Sequence, residues 1–123
     1  MPWSVYFKNK MLDAGVTAIG GTIYLSLHTG APGSTGANEA TGGTPAYARK
    51  ALSLASAAAG AKAMSSSVIF DIPAGNYQYV GYWDASTSGH FLGYDPITPY
   101  APAVQDTLAI ASGQFDLEYL PDA

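Results

Sequence analysis

The sequence predicts a mainly β protein, either an antiparallel β-sandwich or a flattened barrel of about seven short strands, with one short N-terminal helix. Three observations predict this class. Short segments alternate apolar and polar residues, turn residues separate them at intervals typical of all-β domains, and one segment near the start has helical spacing. The chain has 123 residues, which is enough for one core without disulfides. We predict a single domain over residues 1–123, because neither a repeat nor a boundary is visible.

The composition excludes several classes of function. Five Lys and Arg stand against nine Asp and Glu, with a formal charge of −4 and no cysteine. A surface that binds nucleic acid needs a basic patch, so we expect no nucleic-acid partner. Disulfides, thiolate metal sites and a cysteine nucleophile are excluded as well. The charged fraction is only 11%, and a surface so poor in charge favours association.

No segment predicts insertion into a membrane. None approaches the ~18 consecutive apolar residues that a transmembrane helix needs. The first ten residues place their charges after the apolar residues, which is the reverse of a signal peptide. We therefore expect no membrane partner and folding in the cytoplasm.

The opening helix is predicted over residues 4–14. Ser4 suits the N-cap, and Gly15 is the expected C-terminal stop. Phe7 and Met11 share one face, with Trp3 nearby. A helix this short persists only when it packs on the rest of the domain.

The strands are predicted from alternation. Residues 22–28 place Ile23, Leu25 and Leu27 on one face, which indicates a half-buried strand. Further strands are expected over residues 47–54, 66–72, 77–84, 90–94, 106–111 and 114–120. Segments 77–84 and 90–94 are expected to form one hairpin, and the last two segments another, with Phe115, Leu117 and Tyr119 on one face.

Three segments are predicted to be irregular. Residues 29–45 are rich in Gly and Pro, and loops of this length are usually functional. Residues 55–63 are expected to form a loop with some helical tendency, since alanine favours helix but Gly60 interrupts the run. Prolines 96, 99 and 102 predict a stiff, extended crossing.

No catalytic or metal-binding constellation emerges. Only His28 and His90 could serve a Ser-His-Asp site, and no Gly-x-Ser-x-Gly motif is present. We interpret His28 as a partly exposed residue at a strand end. Asp84 and Asp95 flank a hairpin, but they lack the spacing of a calcium loop and suit solvated turns. We predict no enzymatic activity, no cofactor and no metal.

Three further patterns have non-catalytic explanations. Residues 29–36 are Gly-rich but lack the lysine and the following helix of a phosphate-binding loop. Asp116 and Glu118 share a strand face, as the paired carboxylates of glycoside hydrolysis would need, but a charged outward face opposite Phe115, Leu117 and Tyr119 explains them fully. Five aromatic residues form a candidate aromatic interface, and stacking on a sugar is the alternative to core packing or protein contact: Tyr77, Tyr79, Tyr82, Trp83 and Tyr94.

The order of several short motifs is more distinctive than the composition. They are Tyr24-Leu25-Ser26-Leu27-His28-Thr29-Gly30-Ala31-Pro32-Gly33, Gly36-Ala37-Asn38-Glu39-Ala40, Gly42-Gly43, Tyr47-Ala48-Arg49, Val80-Gly81-Tyr82-Trp83-Asp84-Ala85, Gly89-His90-Phe91-Leu92-Gly93 and Ser112-Gly113-Gln114-Phe115. With the opening helix that ends in Met11-Leu12-Asp13, this pattern resembles a family of small virion proteins of tailed bacteriophages, many labelled tail-fibre or minor tail proteins. The sequence departs from the family at Ala31, at Ala40 and at the inserted Thr44-Pro45.

The resemblance implies a structural protein of the virion that assembles in the host cytoplasm and binds other virion proteins, either major capsid or tail proteins. The low charge suggests a homo-oligomer on the particle. Since no shaft pattern is present, we favour a capsid decoration (cement) protein slightly over a tail-tip, tail-fibre or minor tail protein. A glycan-binding module is the third alternative.

The long loop is the principal candidate interaction site. Its candidate residues are His28, Thr29, Pro32, Asn38, Glu39, Tyr47 and Arg49. The N-terminal helix and residues 96–102 are further candidate docking surfaces. We hypothesise that Glu39 and Arg49 form an ion pair that ties the loop onto the sheet. The alternative is that both side chains are solvated and contribute little.

Overall fold

The fold is that of a mainly β protein with one N-terminal helix. The computed structural model describes residues 3–118. Within that range it contains the helix α1 and eight strands: α1 (Val5–Ala18), β1 (Tyr24–His28), β2 (Lys50–Ala51), β3 (Ala61–Ala63), β4 (Val68–Ile72), β5 (Tyr77–Trp83), β6 (Phe91–Tyr100), β7 (Asp106–Ile110) and β8 (Asp116–Glu118). The predicted class is confirmed, and over the described residues the sheets do not close into a barrel.

The main sheet has the strand order β2-β1-β5-β6, and its strands are antiparallel. Leu25 pairs with Tyr82 and Leu27 with Val80, so these side chains share one face. That face packs on the apolar side of β4, where Phe70 and its neighbours are buried. The core therefore lies between the main sheet and the β4–β7 pair.

The predicted hairpin between residues 106–111 and 114–120 is wrong. β7 pairs with β4 and β8 pairs with β3, each antiparallel. The partner of β7 is set by burial, because pairing Ile110 with Val68 and Leu108 with Phe70 brings the apolar residues of both strands to the core. Tyr119 lies outside the described residues.

Helix α1 begins where predicted and ends later. The hydroxyl of Ser4 accepts a hydrogen bond from the Phe7 amide at 3.2 Å, which confirms the N-cap. Gly15 does not stop the helix, which continues to Ala18. It ends at Gly20 and Gly21, both with positive φ, and the Gly21 amide donates to the Val16 carbonyl at 2.8 Å. The helix therefore ends where two consecutive residues adopt a positive φ, a conformation that glycine accepts readily.

Three other segments differ in structure from the predictions. Of residues 47–54, only Lys50–Ala51 pair as a strand with β1. Residues 55–63 contain no helix and end in the strand β3. The proline segment is not a separate crossing, because β6 continues through Pro96 and Pro99 to Tyr100. β6 is an edge strand, where missing amide donors are tolerated, and Pro99 falls in an irregularity of its register.

Strand β1 is buried on both faces and not on one as predicted. Ser26 and His28, on the face opposite the core, are 0% exposed. The cause is the long loop, which folds back over the outer face of the sheet: Gly36 lies against the ring of Trp83, and the Ala37 carbonyl lies 2.8 Å from Nδ1 of His28. The loop then runs beside β1, where the Ala40 amide donates to the Leu27 carbonyl at 2.9 Å. We call residues 29–49 the cover loop. His28 is consequently not the partly exposed residue that the sequence suggested.

Candidate interaction surfaces

Hydrogen bonds between residues of the cover loop fix its conformation. The Thr29 amide donates to the Asn38 carbonyl at 2.9 Å, and the Asn38 side chain donates to the Ala31 carbonyl at 3.1 Å. Asn38 has a φ of 63°, a conformation that asparagine accepts more readily than most residues. The tip of the loop is therefore closed on itself before it contacts the sheet.

The predicted ion pair between Glu39 and Arg49 is confirmed. Arg49 donates from Nε to Oε2 and from a terminal nitrogen to Oε1 of Glu39, each at 2.9 Å. Its remaining terminal nitrogen donates to the carbonyls of Ala85 and Ser88. The guanidinium lies 3.7 Å above the ring of Trp83. One side chain thus joins the cover loop to the turn between β5 and β6.

Tyr47 completes this connection. Its hydroxyl donates to Oε2 of Glu39 at 2.9 Å and accepts from the Leu27 amide at 3.0 Å. Burial raises the pKa of Tyr47. Burial also acts to raise the pKa of Glu39, but the hydrogen bonds from Arg49 and Tyr47 and the guanidinium charge outweigh it and hold the pKa below its ordinary value. The carboxylate is therefore charged at neutral pH.

A buried hydrogen-bonded chain lies beneath the loop. Trp83 Nε1 donates to the Ser26 hydroxyl at 2.9 Å, and that hydroxyl lies 2.7 Å from Nε2 of His28. Nδ1 of His28 lies 2.8 Å from the Ala37 carbonyl. Since a carbonyl only accepts, Nδ1 carries the proton, and Ser26 donates to the bare Nε2. Burial lowers the pKa of His28 and keeps the ring neutral.

A serine and a histidine in contact resemble part of a hydrolytic site. Here the other ring nitrogen meets a carbonyl in place of a carboxylate, and both side chains are 0% exposed. A substrate has no route to the Ser26 hydroxyl in this conformation. The arrangement fixes the positions of the cover loop and the sheet relative to each other.

The candidate loop residues are only partly available to a partner. Thr29 and Asn38 are exposed. The other members of the predicted set face inward or are mostly covered: His28, Pro32, Glu39, Tyr47 and Arg49. These residues hold the loop, so a partner would meet the backbone and small side chains that they position.

The five candidate aromatics do not form one surface. Tyr77, Tyr82 and Trp83 are buried. Tyr79 is half-buried, and Tyr94 is 44% exposed; their rings meet edge to face with centroids 5.7 Å apart. The prediction of an aromatic interface is therefore reduced to Tyr79 and Tyr94, at the open edge of the main sheet.

Sequence reasoning missed an apolar groove between α1, β6 and β8, lined by Leu12, Val16, Tyr82, Leu92 and Phe115 among others. Its signal was the apolar stripe of α1, which continues past the expected stop at Gly15 to Val16 and Ile19.

Asp84 and Asp95, the two acidic residues predicted to flank a hairpin, have local partners. Asp84 accepts from the His90 amide and lies 2.7 Å from the His90 ring, and these bonds lower the pKa of Asp84. Asp95 accepts from the Tyr82 hydroxyl at 2.7 Å. Over residues 3–118 no three His, Asp or Glu side chains converge as a metal site needs. No helix in the same range is long and apolar enough to cross a bilayer.

Comparison with known proteins identifies the family. No curated protein matches the chain. A family model described as "Podophage GP4 fiber I protein gp80" matches residues 2–118, and this agrees with the resemblance to virion proteins found in the sequence. Because that match covers nearly the whole chain, the protein belongs to this family of podophage fibre proteins and is a structural component of the virion.

Proposed function

We propose that this protein is a non-enzymatic module of the phage tail fibre that works by binding neighbouring virion proteins in several copies. The observation that carries the proposal is the match to a podophage fibre family over residues 2–118. The structure supports it physically, because the cover loop is fixed to the sheet by the Glu39–Arg49 pair and by the buried chain through Ser26 and His28. Such a fixed loop suits a permanent protein contact.

The absence of catalysis is part of the same proposal. The one serine–histidine contact described above is inaccessible, and the half-buried carboxylates of Asp84 and Asp95 are hydrogen-bonded to their own neighbours. Assays of purified protein on host polysaccharide should show no turnover. Turnover that depends on Asp116 or Glu118 would contradict the proposal.

The position on the particle is tested by stoichiometry and by labelling. We expect antibody-labelled particles to carry the protein at the tail, in a copy number that follows tail symmetry. Capsid decoration is the alternative, and it predicts label over the whole head and a copy number that follows the shell lattice. Heads lacking the protein should then rupture at lower temperature, whereas the fibre proposal expects unchanged heads.

Glycan binding is the second alternative, and the exposed Tyr94 beside Tyr79 is the observation that favours testing it. A glycan array should show no specific binding by the purified protein. Binding that is lost in Tyr94→Ala but kept in the control Val104→Ala, which is exposed elsewhere, would assign a receptor role to these aromatics.

A further inference from the structure

Edge strands are the places where a sheet can accept a strand from another chain. In the main sheet the edge strands are β2 and β6. β2 has only two residues, and β6 carries Pro96 and Pro99, which have no amide hydrogen to donate. Short length therefore protects the first of these edges, and proline protects the second.

Strand β7 is an edge that has neither protection. Within residues 3–118 its only hydrogen-bonded strand neighbour is β4, and β4 in turn has β2 packed beside it. β7 has five residues, contains no proline or lysine, and pairs in a regular register without a bulge. The common devices that keep an edge from pairing are therefore missing from this strand.

The residues of this edge favour the addition of a strand. Residues 107–111 are uncharged and include no proline or glycine, as is typical of segments that pair with other chains. The outer face of the β4–β7 pair is apolar where Ile69 lies opposite Ala109, and Ile69 is 58% exposed. Where several copies lie close together, an open edge of this kind would pair with its neighbour.

Two side chains bind amides along this edge. Oδ1 of Asp106 accepts from the Thr107 amide at 2.7 Å, and Oε1 of Gln114 accepts from the Ala111 amide at 3.1 Å. In an antiparallel pair, alternate amides point to the partner strand and those between them point away. Thr107 and Ala111 are four positions apart and therefore share one register with Ala109. Their side-chain acceptors place that register on the side away from β4.

The two acceptors are themselves held in place. The second carboxylate oxygen of Asp106 accepts from the Tyr100 hydroxyl. The amide of Gln114 donates to the Ala111 carbonyl at 3.1 Å, which closes a turn that directs the side chain back to the strand. Asp106, Thr107, Ala111 and Gln114 are all exposed. These bonds therefore lie at the surface and are not needed to satisfy groups in the core.

We propose that Asp106 and Gln114 close the outer edge of β7 against pairing with a strand of a neighbouring copy. Their oxygens take the first and the last outward amide and leave only that of Ala109 between them. Strand addition needs several hydrogen bonds in register, and one amide does not supply them. The proposal goes beyond the fibre function, because it identifies a surface that is kept out of the assembly.

The first experiment compares two double variants of the full chain. Asp106→Ala with Gln114→Ala removes both acceptors. Asp106→Asn with Gln114→Glu keeps an acceptor oxygen at each position and the same net charge as wild type. Sedimentation velocity and thioflavin T fluorescence are recorded over a concentration series. The alanine variant should form larger, dye-binding species at a concentration at least about tenfold below that of wild type. The matched variant should behave like wild type.

Aggregation through unfolding is a separate route to larger species, and a second control excludes it. Asn9→Ala removes the acceptor of the Gly60 amide, a bond of the same kind away from this edge. Circular dichroism sets a temperature at which all variants are folded. If the alanine variant does not fold, Gln114→Ala alone is compared with Gln114→Glu, since it leaves Asp106 bound to Tyr100.

Three outcomes would overturn the proposal. They are an alanine variant that keeps the size of wild type, a matched variant that associates as readily as the alanine variant, and an Asn9→Ala protein that associates to the same extent.

The second experiment locates the new contact by hydrogen exchange. In dilute solution the amides of Thr107 and Ala111 should exchange at least about fivefold faster in the alanine variant than in wild type, because each has lost its acceptor. In the associated species the same amides should become protected again. Added protection confined to α1 or β6, relative to wild type at the same concentration, would show association through another surface and overturn the proposal.

These results are separate from those that test the tail location. A β7 edge that opens on removal of the two acceptors, in a protein found on the head, would contradict the proposed function and leave this inference in place. A tail-located protein whose alanine variant keeps the size of wild type would do the reverse.

Discussion

Arg49 has more structural partners than any other cover-loop side chain described. It binds Glu39 through two nitrogens, donates to two carbonyls of the β5–β6 turn and stacks on Trp83. Its side chain is 8% exposed. The planar guanidinium is the one side-chain group that makes all these contacts together, because a lysine ammonium offers neither the fork nor the flat face.

We therefore expect Arg49→Ala to destabilise the fold by about 3–5 kcal/mol, the usual cost of leaving a buried charge without its partner. Arg49→Lys should restore only a minor part of this loss. Urea unfolding measures both values. The adjacent Lys50→Ala is the control and should change the free energy of unfolding by less than about 0.5 kcal/mol. An Arg49→Lys protein as stable as wild type would refute the role of the planar group.

His28 makes the stability depend on pH. The groups around it are the Ser26 hydroxyl, the Ala37 carbonyl and the charges of Glu39 and Arg49. Burial holds the pKa of His28 below its unfolded value, so between these two values the unfolded chain binds the extra proton. The free energy of unfolding should then fall as the pH drops below about 6.5.

The slope attributable to His28 is at most about 1.4 kcal/mol per pH unit, the value for one proton. Urea unfolding between about pH 5 and pH 7 measures it, and His28→Gln should flatten the curve. Nitrogen NMR of the imidazole gives an independent test in the unmodified protein. It should show a neutral ring protonated at Nδ1 near pH 6, and a charged ring there would contradict the assignment.

Strand β5 shows how a residue that is poor for its element can be required by packing. A Cβ at Gly81 would lie 2.5 Å from Nε2 of His28 and 2.6 Å from the Ser26 hydroxyl. We expect Gly81→Ala to cost about 1–3 kcal/mol by overpacking. Gly93 on the neighbouring strand is the matched control, because its added methyl meets open space. Gly93→Ala should leave the thermal midpoint of the monomer unchanged or raise it.

Helix α1 is anchored to the segment before β3 by two polar side chains one turn apart. Asn9 accepts from the Gly60 amide at 2.9 Å, and Asp13 accepts from the Ala57 amide at 3.0 Å and from Lys62 at 2.6 Å. The hydrogen bond from Lys62 is the main cause that lowers the pKa of Asp13. These contacts, and not apolar burial alone, orient the helix.

Asn9→Ala should speed hydrogen exchange at the Gly60 amide, and Asp13→Ala should do so at Ala57, each without a matching change at the other amide. The reason is that each side chain is the acceptor for one amide only. Thr17→Ala, on the exposed part of the helix, is the control and should leave both amides unchanged. Equal acceleration of both amides by either variant would show that the helix detaches as a whole.

The sequence predicts elements better than it predicts their partners. Alternation located β1 and β4, and Ser4 located the start of α1, because these signals are local. The burial of Ser26 and His28 had no local signal, since it comes from the cover loop returning over them. The Glu39–Arg49 pair could be hypothesised because Glu39 lies in a Gly-rich loop and an opposite charge, Arg49, follows on the next expected strand. The pairing of β7 with β4 depends on the whole core and could not be read from the adjacent turn.

The cover loop belongs to the same packed unit as the sheets. Ala40 is a member of the buried core, and the ring of Tyr47 stacks on Phe70 with centroids 6.0 Å apart. Trp83 lies under the loop, in contact with Arg49 and Ser26. These contacts join the loop, the main sheet and β4, so the loop should not open before the rest of the molecule unfolds.

We therefore expect one cooperative unfolding transition. The variant Trp3→Phe leaves Trp83 as the sole tryptophan, so its fluorescence reports on the contact between the cover loop and the sheet. Far-ultraviolet circular dichroism of the same sample reports on the strands and the helix. The two midpoints in urea should coincide. A lower midpoint for the Trp83 signal would show that the cover loop unfolds as a separate unit, and the partner-binding surface would then form only when a neighbour orders the loop.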